Sequence, residues 1–241
     1  MEFASPEFWV AIGQIILIDI LLGGDNAVVI ALASRRLPDS QRKQAMFWGV
    51  FGAVALRIVM IFFALQLLRI PFLKVGGGLL LLWIGVKLLL PQKEDGGHDI
   101  NASTHLLGAV RTIIVADAVM SLDNVIAIAA AAKDHVGLVI FGLLVSVPII
   151  VWGSRFVLKL MDRFPLVIVG GAALLGWIAG EMIAHDVALK DTVTGWLPGP
   201  WIYAAPAAGA LVVVVTGKLI AARQSPPAGT GPVDLARRDD D

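Results

Sequence analysis

Long apolar runs separated by short polar breaks dominate the chain. Most of the runs reach the roughly 20 residues that a membrane-spanning helix needs. The seven runs cover residues 8–34, 45–68, 72–90, 106–132, 136–158, 165–184 and 201–221. One such run could be the buried helix of a soluble protein, but a soluble core cannot accommodate seven of them. The pattern therefore predicts an all-α integral membrane protein with seven transmembrane helices.

Composition supports this interpretation and excludes several functions. Hydrophobic residues make up 58% of the chain and charged residues only 16%, against about 25% charged residues in an ordinary soluble domain. The net charge of zero indicates no basic face for nucleic acid. Because the chain has no cysteine, it has no disulfide, thiolate metal site or cysteine nucleophile. We expect a transmembrane domain over 1–223 and a disordered cytoplasmic tail over 224–241, which is rich in proline, glycine and aspartate.

The positions of lysine and arginine predict the orientation. The first apolar run lacks the basic start of a cleaved signal peptide, so we expect it to remain as the first span. If the N-terminus is outside, fourteen lysines and arginines fall on the cytoplasmic side, four fall outside, and only Arg57 lies deep in a span. The opposite orientation reverses this bias. The positive-inside rule therefore predicts an outer N-terminus and a cytoplasmic C-terminus.

Two segments of the chain are repeated in the same order. Residues 19–26 (Asp-Ile-Leu-Leu-Gly-Gly-Asp-Asn) are matched by residues 117–124 (Asp-Ala-Val-Met-Ser-Leu-Asp-Asn) at an offset of 98. The Val-Gly-Gly that begins at Val75 is matched by the one at Val169, at an offset of 94. Each half then holds three spans, an odd number, so the halves cross the membrane in opposite directions. This predicts two inverted three-helix repeats, at about 8–90 and 106–184, plus a seventh helix at 201–221.

Four aspartates lie well inside the predicted spans: Asp19, Asp25, Asp117 and Asp123. A charged aspartate at the centre of a bilayer costs roughly 2.5–3.5 kcal/mol on insertion scales. A purely structural role would require intramembrane cations as partners, but Arg57 is the only deep one and cannot neutralise four carboxylates. We therefore interpret the aspartates as a functional site.

The spacing of these residues favours a metal cation as ligand. Positions seven apart share a helical face, which places Asp19 over Asn26 and Asp117 over Asn124. Gly23 and Gly24 would loosen the first span, and Ser121 adds a hydroxyl in the second repeat. Carboxylate, amide and hydroxyl oxygens suit Mn²⁺, Mg²⁺ or Ca²⁺. The predicted metal-binding set is Asp19, Asp25, Asn26, Asp117, Ser121, Asp123 and Asn124.

The paired motifs resemble a known family. Gly23-Gly24-Asp25-Asn26-Ala27 and Ser121-Leu122-Asp123-Asn124-Val125, on two inverted halves plus a seventh helix, are similar to the TerC family, and to its YjbE-like branch in particular. The resemblance covers residues 7–222. It implies a bacterial inner-membrane protein of metal-ion homeostasis, most often manganese export, and a wider superfamily of small cation and amino-acid exporters.

The function that follows is divalent-cation transport, with Mn²⁺ export by alternating access as the leading hypothesis. One alternative is a membrane factor that metallates or assembles other proteins and is linked to tellurite resistance. Another is an exporter of small organic solutes. We expect no enzymatic activity and no prosthetic group, because no nucleophile–base or histidine–metal constellation accompanies the aspartates. The expected partners are the metal ion as substrate, the lipid bilayer and a second copy of the chain, but no nucleic acid.

Overall fold

A computed structural model describes residues 6–67, 69–90, 100–131, 136–189 and 203–224. Residues 91–99, residues 190–202 and the predicted tail after residue 224 lie outside these ranges. The disorder and the location of the tail therefore stay predictions.

The described residues form eight helices and no strand, which confirms the all-α class. The helices are α1 (Pro6–Leu22), α2 (Gly24–Ser34), α3 (Asp39–Leu67), α4 (Leu73–Leu89), α5 (Ile100–Ala131), α6 (Val136–Arg163), α7 (Leu166–Ala184) and α8 (Ala204–Gln224). Helix α5 begins at Ile100, six residues before the predicted span at 106–132.

Prolines mark the breaks between several helices. Pro38 lies immediately before α3, and its carbonyl accepts the N–H of Arg42 at 2.8 Å in the first turn. Pro71 separates α3 from α4, and Pro165 is the residue before α7. Proline fits these places because it cannot continue the preceding helix, while its fixed φ suits the start of the next one.

Length and composition identify the candidate membrane spans. Five of the described helices are long and apolar enough to cross a bilayer, and the bent pair α1–α2 raises the number to six if it forms one span. Helix α4, which corresponds to the third predicted span at 72–90, has 17 residues and is not among these candidates. At 1.5 Å per residue it would reach about 26 Å, slightly less than the hydrocarbon core of a typical bilayer. The membrane-protein class is confirmed, and the count of seven spans stays a prediction.

The exterior of the bundle is apolar, and a few charged and polar groups are buried among the apolar side chains of its core. Large apolar side chains such as Leu21, Trp152 and Leu211 are exposed on the exterior, while Asp19, Arg57 and other polar groups are buried. Exposed apolar side chains face lipid without cost, whereas charged groups need partners inside the bundle. The buried polar groups therefore serve either the protein's function or hydrogen bonding and ion pairing within the bundle.

Gly23 breaks the first predicted span into α1 and α2, which are bent relative to each other by 52°. A side chain at Gly23 would collide with the carbonyl oxygen of Asp19. The sequence predicts one span at 8–34 loosened by glycines, and the structure shows two helices meeting at an angle. Positions seven apart share a face only on a straight helix, so the predicted alignment of Asp19 with Asn26 does not extend across the bend.

Small residues bring the helices of the two predicted halves into close contact. A methyl group on Gly78 of α4 would meet the carbonyl oxygen of Ala179 in α7, and one on Gly85 would meet that of Ala172 at 3.5 Å. At the repeat offset of 94, Gly78 corresponds to Ala172 and Gly85 to Ala179. The repeat therefore maps the Gly78–Ala179 contact onto the Gly85–Ala172 contact, as an inverted duplication predicts. Superposition of the halves remains the direct test of the repeat.

Candidate cation site

Three charged side chains from three helices meet in the interior of the bundle. Arg57 of α3, Asp19 of α1 and Asp117 of α5 are 2%, 1% and 7% exposed. The guanidinium of Arg57 donates through Nη1 to Oδ1 of Asp19, and through Nη2 to Oδ1 of Asp117 at 2.5 Å. One guanidinium balances only one of the two carboxylates, so the cluster carries excess negative charge when both carboxylates are ionised.

Two serine hydroxyls complete the hydrogen bonding of these carboxylates. Ser121, one turn after Asp117, accepts a bond from Nε of Arg57 at 2.9 Å and donates to Oδ2 of Asp117 at 3.2 Å. Ser146 of α6 donates to Oδ2 of Asp19. Each of the four carboxylate oxygens therefore accepts a hydrogen bond from Arg57 or from a serine. Such bonding allows the charged groups to remain buried.

The side chain of Asn26 differs from these carboxylates in its hydrogen bonding. It lies in the first turn of α2 and is 2% exposed. Within the described part of the chain, neither Oδ1 nor Nδ2 of its amide has a hydrogen-bond partner. A buried polar group without a partner costs about 1–3 kcal/mol of folding free energy. The amide is therefore poorly explained by stability alone.

A small cavity lies beside this amide. It has a volume of about 20 Å³ and is lined by Asn26, Arg57, Asp117 and apolar side chains of α2, α3, α5 and α6. A cavity of this size has room for about one water-sized particle. Asn26 and Asp117 thus border the same small cavity, although apolar side chains form most of its lining.

Asp25 lies next to Asn26 at the start of α2 and is half-buried. Its Oδ1 accepts the backbone N–H of Asn26 at 2.8 Å. A negative charge is favourable at this place because the first turn of a helix carries partial positive charge. The bend at Gly23 creates this helix start inside the predicted first span.

The second motif lies near the C-terminal end of α5. Asn124 is half-buried there, and Asp123 precedes it on the same helix. The side chain of Asp123 lies outside what the structure describes. Its predicted part in the site therefore stays a prediction.

The residues of the predicted metal-binding set do not form a single cluster in the structure. Asp19, Asp117 and Ser121 are joined through Arg57, whereas Asn26 lines the cavity. Asp25 precedes Asn26 in α2 and is not one of the lining residues. Among the described side chains, no group of three or more His, Cys, Asp or Glu is close enough to hold a metal ion. A complete metal shell is thus not assembled from described carboxylates. The contribution of Ser146 was missed, because a single serine in an apolar helix gives no distinguishing signal.

Asp186, which follows α7, has a structural role that the sequence did not indicate. It is fully buried, and its carboxylate accepts the backbone N–H groups of Phe72 at 2.9 Å, Lys74 at 3.0 Å and Val75 at 3.3 Å. These bonds cap the N-terminus of α4 and hold Phe72 in a left-handed conformation with φ of 63°. Burial raises the pKa of Asp186, but its backbone hydrogen bonds, including that from Ala188, together hold this pKa below its usual value.

The fold and the buried site define a polytopic integral membrane protein, and comparison with known proteins identifies the family. Residues 4–225 match the integral membrane protein TerC family, so the chain belongs to that family. The uncharacterized membrane protein YjbE of Bacillus subtilis (strain 168) is 50% identical over 184 residues, which cover 76% of this chain and 84% of YjbE. The resemblance seen in the sequence is thereby confirmed.

More distant relatives belong to the same class. The uncharacterized membrane protein YceF of Bacillus subtilis (strain 168) is 28% identical, over 74% of this chain and 72% of YceF. The inner membrane protein YgdQ of Escherichia coli (strain K12) is 27% identical, over 68% of this chain and 75% of YgdQ. No solved structure matches the chain.

Proposed function

We propose that this protein is an inner-membrane transporter of divalent metal cations, with Mn²⁺ as its substrate and export by alternating access as its mechanism. The observation that carries the proposal is the unpaired amide of Asn26, which faces a cavity shared with Asp117 and Arg57. A buried amide without a partner destabilises the fold. Its presence is therefore better explained by a ligand that completes its hydrogen bonding.

Buried charge at the meeting point of the two predicted halves supports transport over a scaffold role. Ionisable groups inside a membrane domain are costly and commonly mark the path of an ion. The break between α1 and α2 lies close to Asn26, which lines the cavity. Broken helices at the junction of inverted repeats form the substrate site in many secondary transporters.

The donor types favour a hard divalent cation. Carboxylate and amide oxygens are available from Asp25, Asn26 and Asp117, and we expect Asp123 and Asn124 to add theirs from the second repeat. Such oxygens suit Mn²⁺, whereas zinc and copper favour histidine or cysteine. The choice of Mn²⁺ among hard cations rests on the family resemblance.

The geometry is less favourable to the alternative of an organic-solute exporter. Such a carrier would need a fixed cation for the carboxylate of its substrate, and Arg57 is the deep cation of the spans. Its Nη1, Nη2 and Nε atoms already donate to Asp19, Asp117 and Ser121. An anionic substrate would have to break these bonds.

Metal flux through the purified full chain in liposomes tests the proposal. We expect Mn²⁺ to cross, Mg²⁺ and Ca²⁺ to compete to different degrees, and an amino acid to have no effect. The control is empty liposomes of the same lipid. Absence of flux for every divalent cation would favour the metallation-factor alternative, and flux of an amino acid would favour the solute exporter.

A further inference from the structure

Arg57 belongs to both parts of the site. It binds Asp19, Asp117 and Ser121, and its side chain also lines the cavity that Asn26 faces. A cation entering this cavity therefore meets a fixed positive charge beside the carboxylate of Asp117. Two positive charges brought together in a buried place repel each other far more strongly than in water.

The guanidinium also holds the atoms that a metal ion would need. Each oxygen of Asp19 and Asp117 already accepts a hydrogen bond, and one oxygen of each carboxylate is bound by Arg57. A carboxylate oxygen has few lone-pair positions. A divalent ion that takes an Oδ1 atom as a ligand would therefore share that oxygen with the guanidinium, and the two cations would compete for its negative charge.

The predicted repeat makes Arg57 an exception to the symmetry of the site. Gly49 of α3 packs on Ile113, and Gly142 of α6 packs on Ile15. These contacts relate α3 to α6 at an offset of 93. At the same offset Arg57 corresponds to Ile150, which lines the same cavity. One half thus supplies a cation where the other supplies an apolar side chain.

We propose that Arg57 is a built-in competitor of the transported cation. Its guanidinium binds Asp19 and Asp117 in exchange with the substrate ion, which keeps the affinity for the ion low enough for the ion to leave. A carrier must bind its ion well enough to load it and weakly enough to release it. This inference rests on the proposed function, because it assigns a role to Arg57 at that same site.

The test compares Arg57→Gln with wild type in two measurements on the full chain. Equilibrium binding of Mn²⁺ is measured in detergent by titration calorimetry, and Mn²⁺ flux is measured in liposomes. We expect Arg57→Gln to bind Mn²⁺ about tenfold or more tightly, because the repelling charge is removed. The maximal flux should fall by a similar factor, because tighter binding mainly slows dissociation. Arg155→Gln, at an exposed arginine of α6, is the matched control and should leave both values unchanged.

The two measurements separate this role from a structural one. If Arg57 only supports the fold, Arg57→Gln weakens binding and flux together, and that result overturns the inference. If Arg57→Gln does not fold, Arg57→Lys is measured in its place. A single ammonium cannot bridge two carboxylates as the planar guanidinium does, so binding should tighten by about threefold. Unchanged or weaker binding would overturn the inference, whereas a wild-type protein that neither binds nor transports divalent cations would refute the proposed function itself.

Discussion

Asp19 and Asp117 lie 98 positions apart in the sequence, and their Oδ1 atoms bind two nitrogens of the same guanidinium. The two aspartates occupy equivalent positions in the predicted repeats. Arg57 therefore joins the two halves at one buried point, beside the cavity that Asn26 faces. The junction of two halves is where an alternating-access carrier exposes its substrate to one side and then to the other.

Replacement of the unpaired amide should raise stability and remove function. Asn26→Leu has a similar volume and removes a buried polar group that has no described partner. We expect the variant to be more stable by about 1–2 kcal/mol and to lose Mn²⁺ flux. The measurements are Tm in detergent without metal, and flux in liposomes.

The control for this change is Ser154→Ala, which removes a buried hydroxyl that is bonded to the carbonyl of Ile150 at 2.7 Å. That variant should transport like wild type and gain no stability. An Asn26→Leu variant that is destabilised and still transports would show that the amide is a structural group.

The bend between α1 and α2 can be tested with two neighbouring glycines. A methyl group at Gly23 would collide with the carbonyl oxygen of Asp19, whereas one at Gly24 meets nothing within 4 Å. We expect Gly23→Ala to lower Tm and to reduce flux, because the helix start that carries Asp25 must shift. Gly24→Ala should keep flux and raise stability by up to about 1 kcal/mol. Equal effects of the two substitutions would contradict the assigned role of the bend.

The apolar runs predicted most of the fold, because lipid requires long uninterrupted helices. The sequence also indicated Arg57 as the deep cation of the spans. It could not predict that Arg57 binds Asp19 and Asp117, since that choice depends on how α1, α3 and α5 pack. The part played by Ser146 was equally hidden, because α6 meets α1 only in the folded bundle.

The cap formed by Asp186 predicts a pH-dependent contribution to stability. Its pKa is lowered in the folded protein, so the ionised carboxylate stabilises the fold. This contribution is fully present above the unfolded pKa and is lost as pH falls through the folded value. We expect Asp186→Asn to cost about 1.5–3 kcal/mol at neutral pH. The difference in Tm from wild type should shrink below about pH 4.

The control for this prediction is Asp162→Asn, at an exposed position near the end of α6. It should change stability by less than about 0.5 kcal/mol. A difference between wild type and Asp186→Asn that stays constant from neutral to acid pH would contradict the role of the ionised carboxylate.

The predicted orientation can be read from one introduced cysteine. The chain has no cysteine of its own, and Ser40 is exposed at the start of α3. The positive-inside rule places this residue in the cytoplasm. An impermeant thiol reagent should therefore label Ser40→Cys in inverted membrane vesicles and leave it unlabelled in intact cells. Labelling in intact cells would reverse the orientation.

We propose that the aspartates of the paired motifs carry a divalent cation through the membrane. Asp25→Asn keeps the shape of the side chain and removes its charge, and Asp162→Asn makes the same change at an exposed position. The decisive measurement is Mn²⁺ flux through both variants in liposomes. We predict that Asp25→Asn abolishes flux while keeping a folded protein, that Asp123→Asn does the same, and that Asp162→Asn transports like wild type. Wild-type flux in Asp25→Asn and Asp123→Asn would contradict the account.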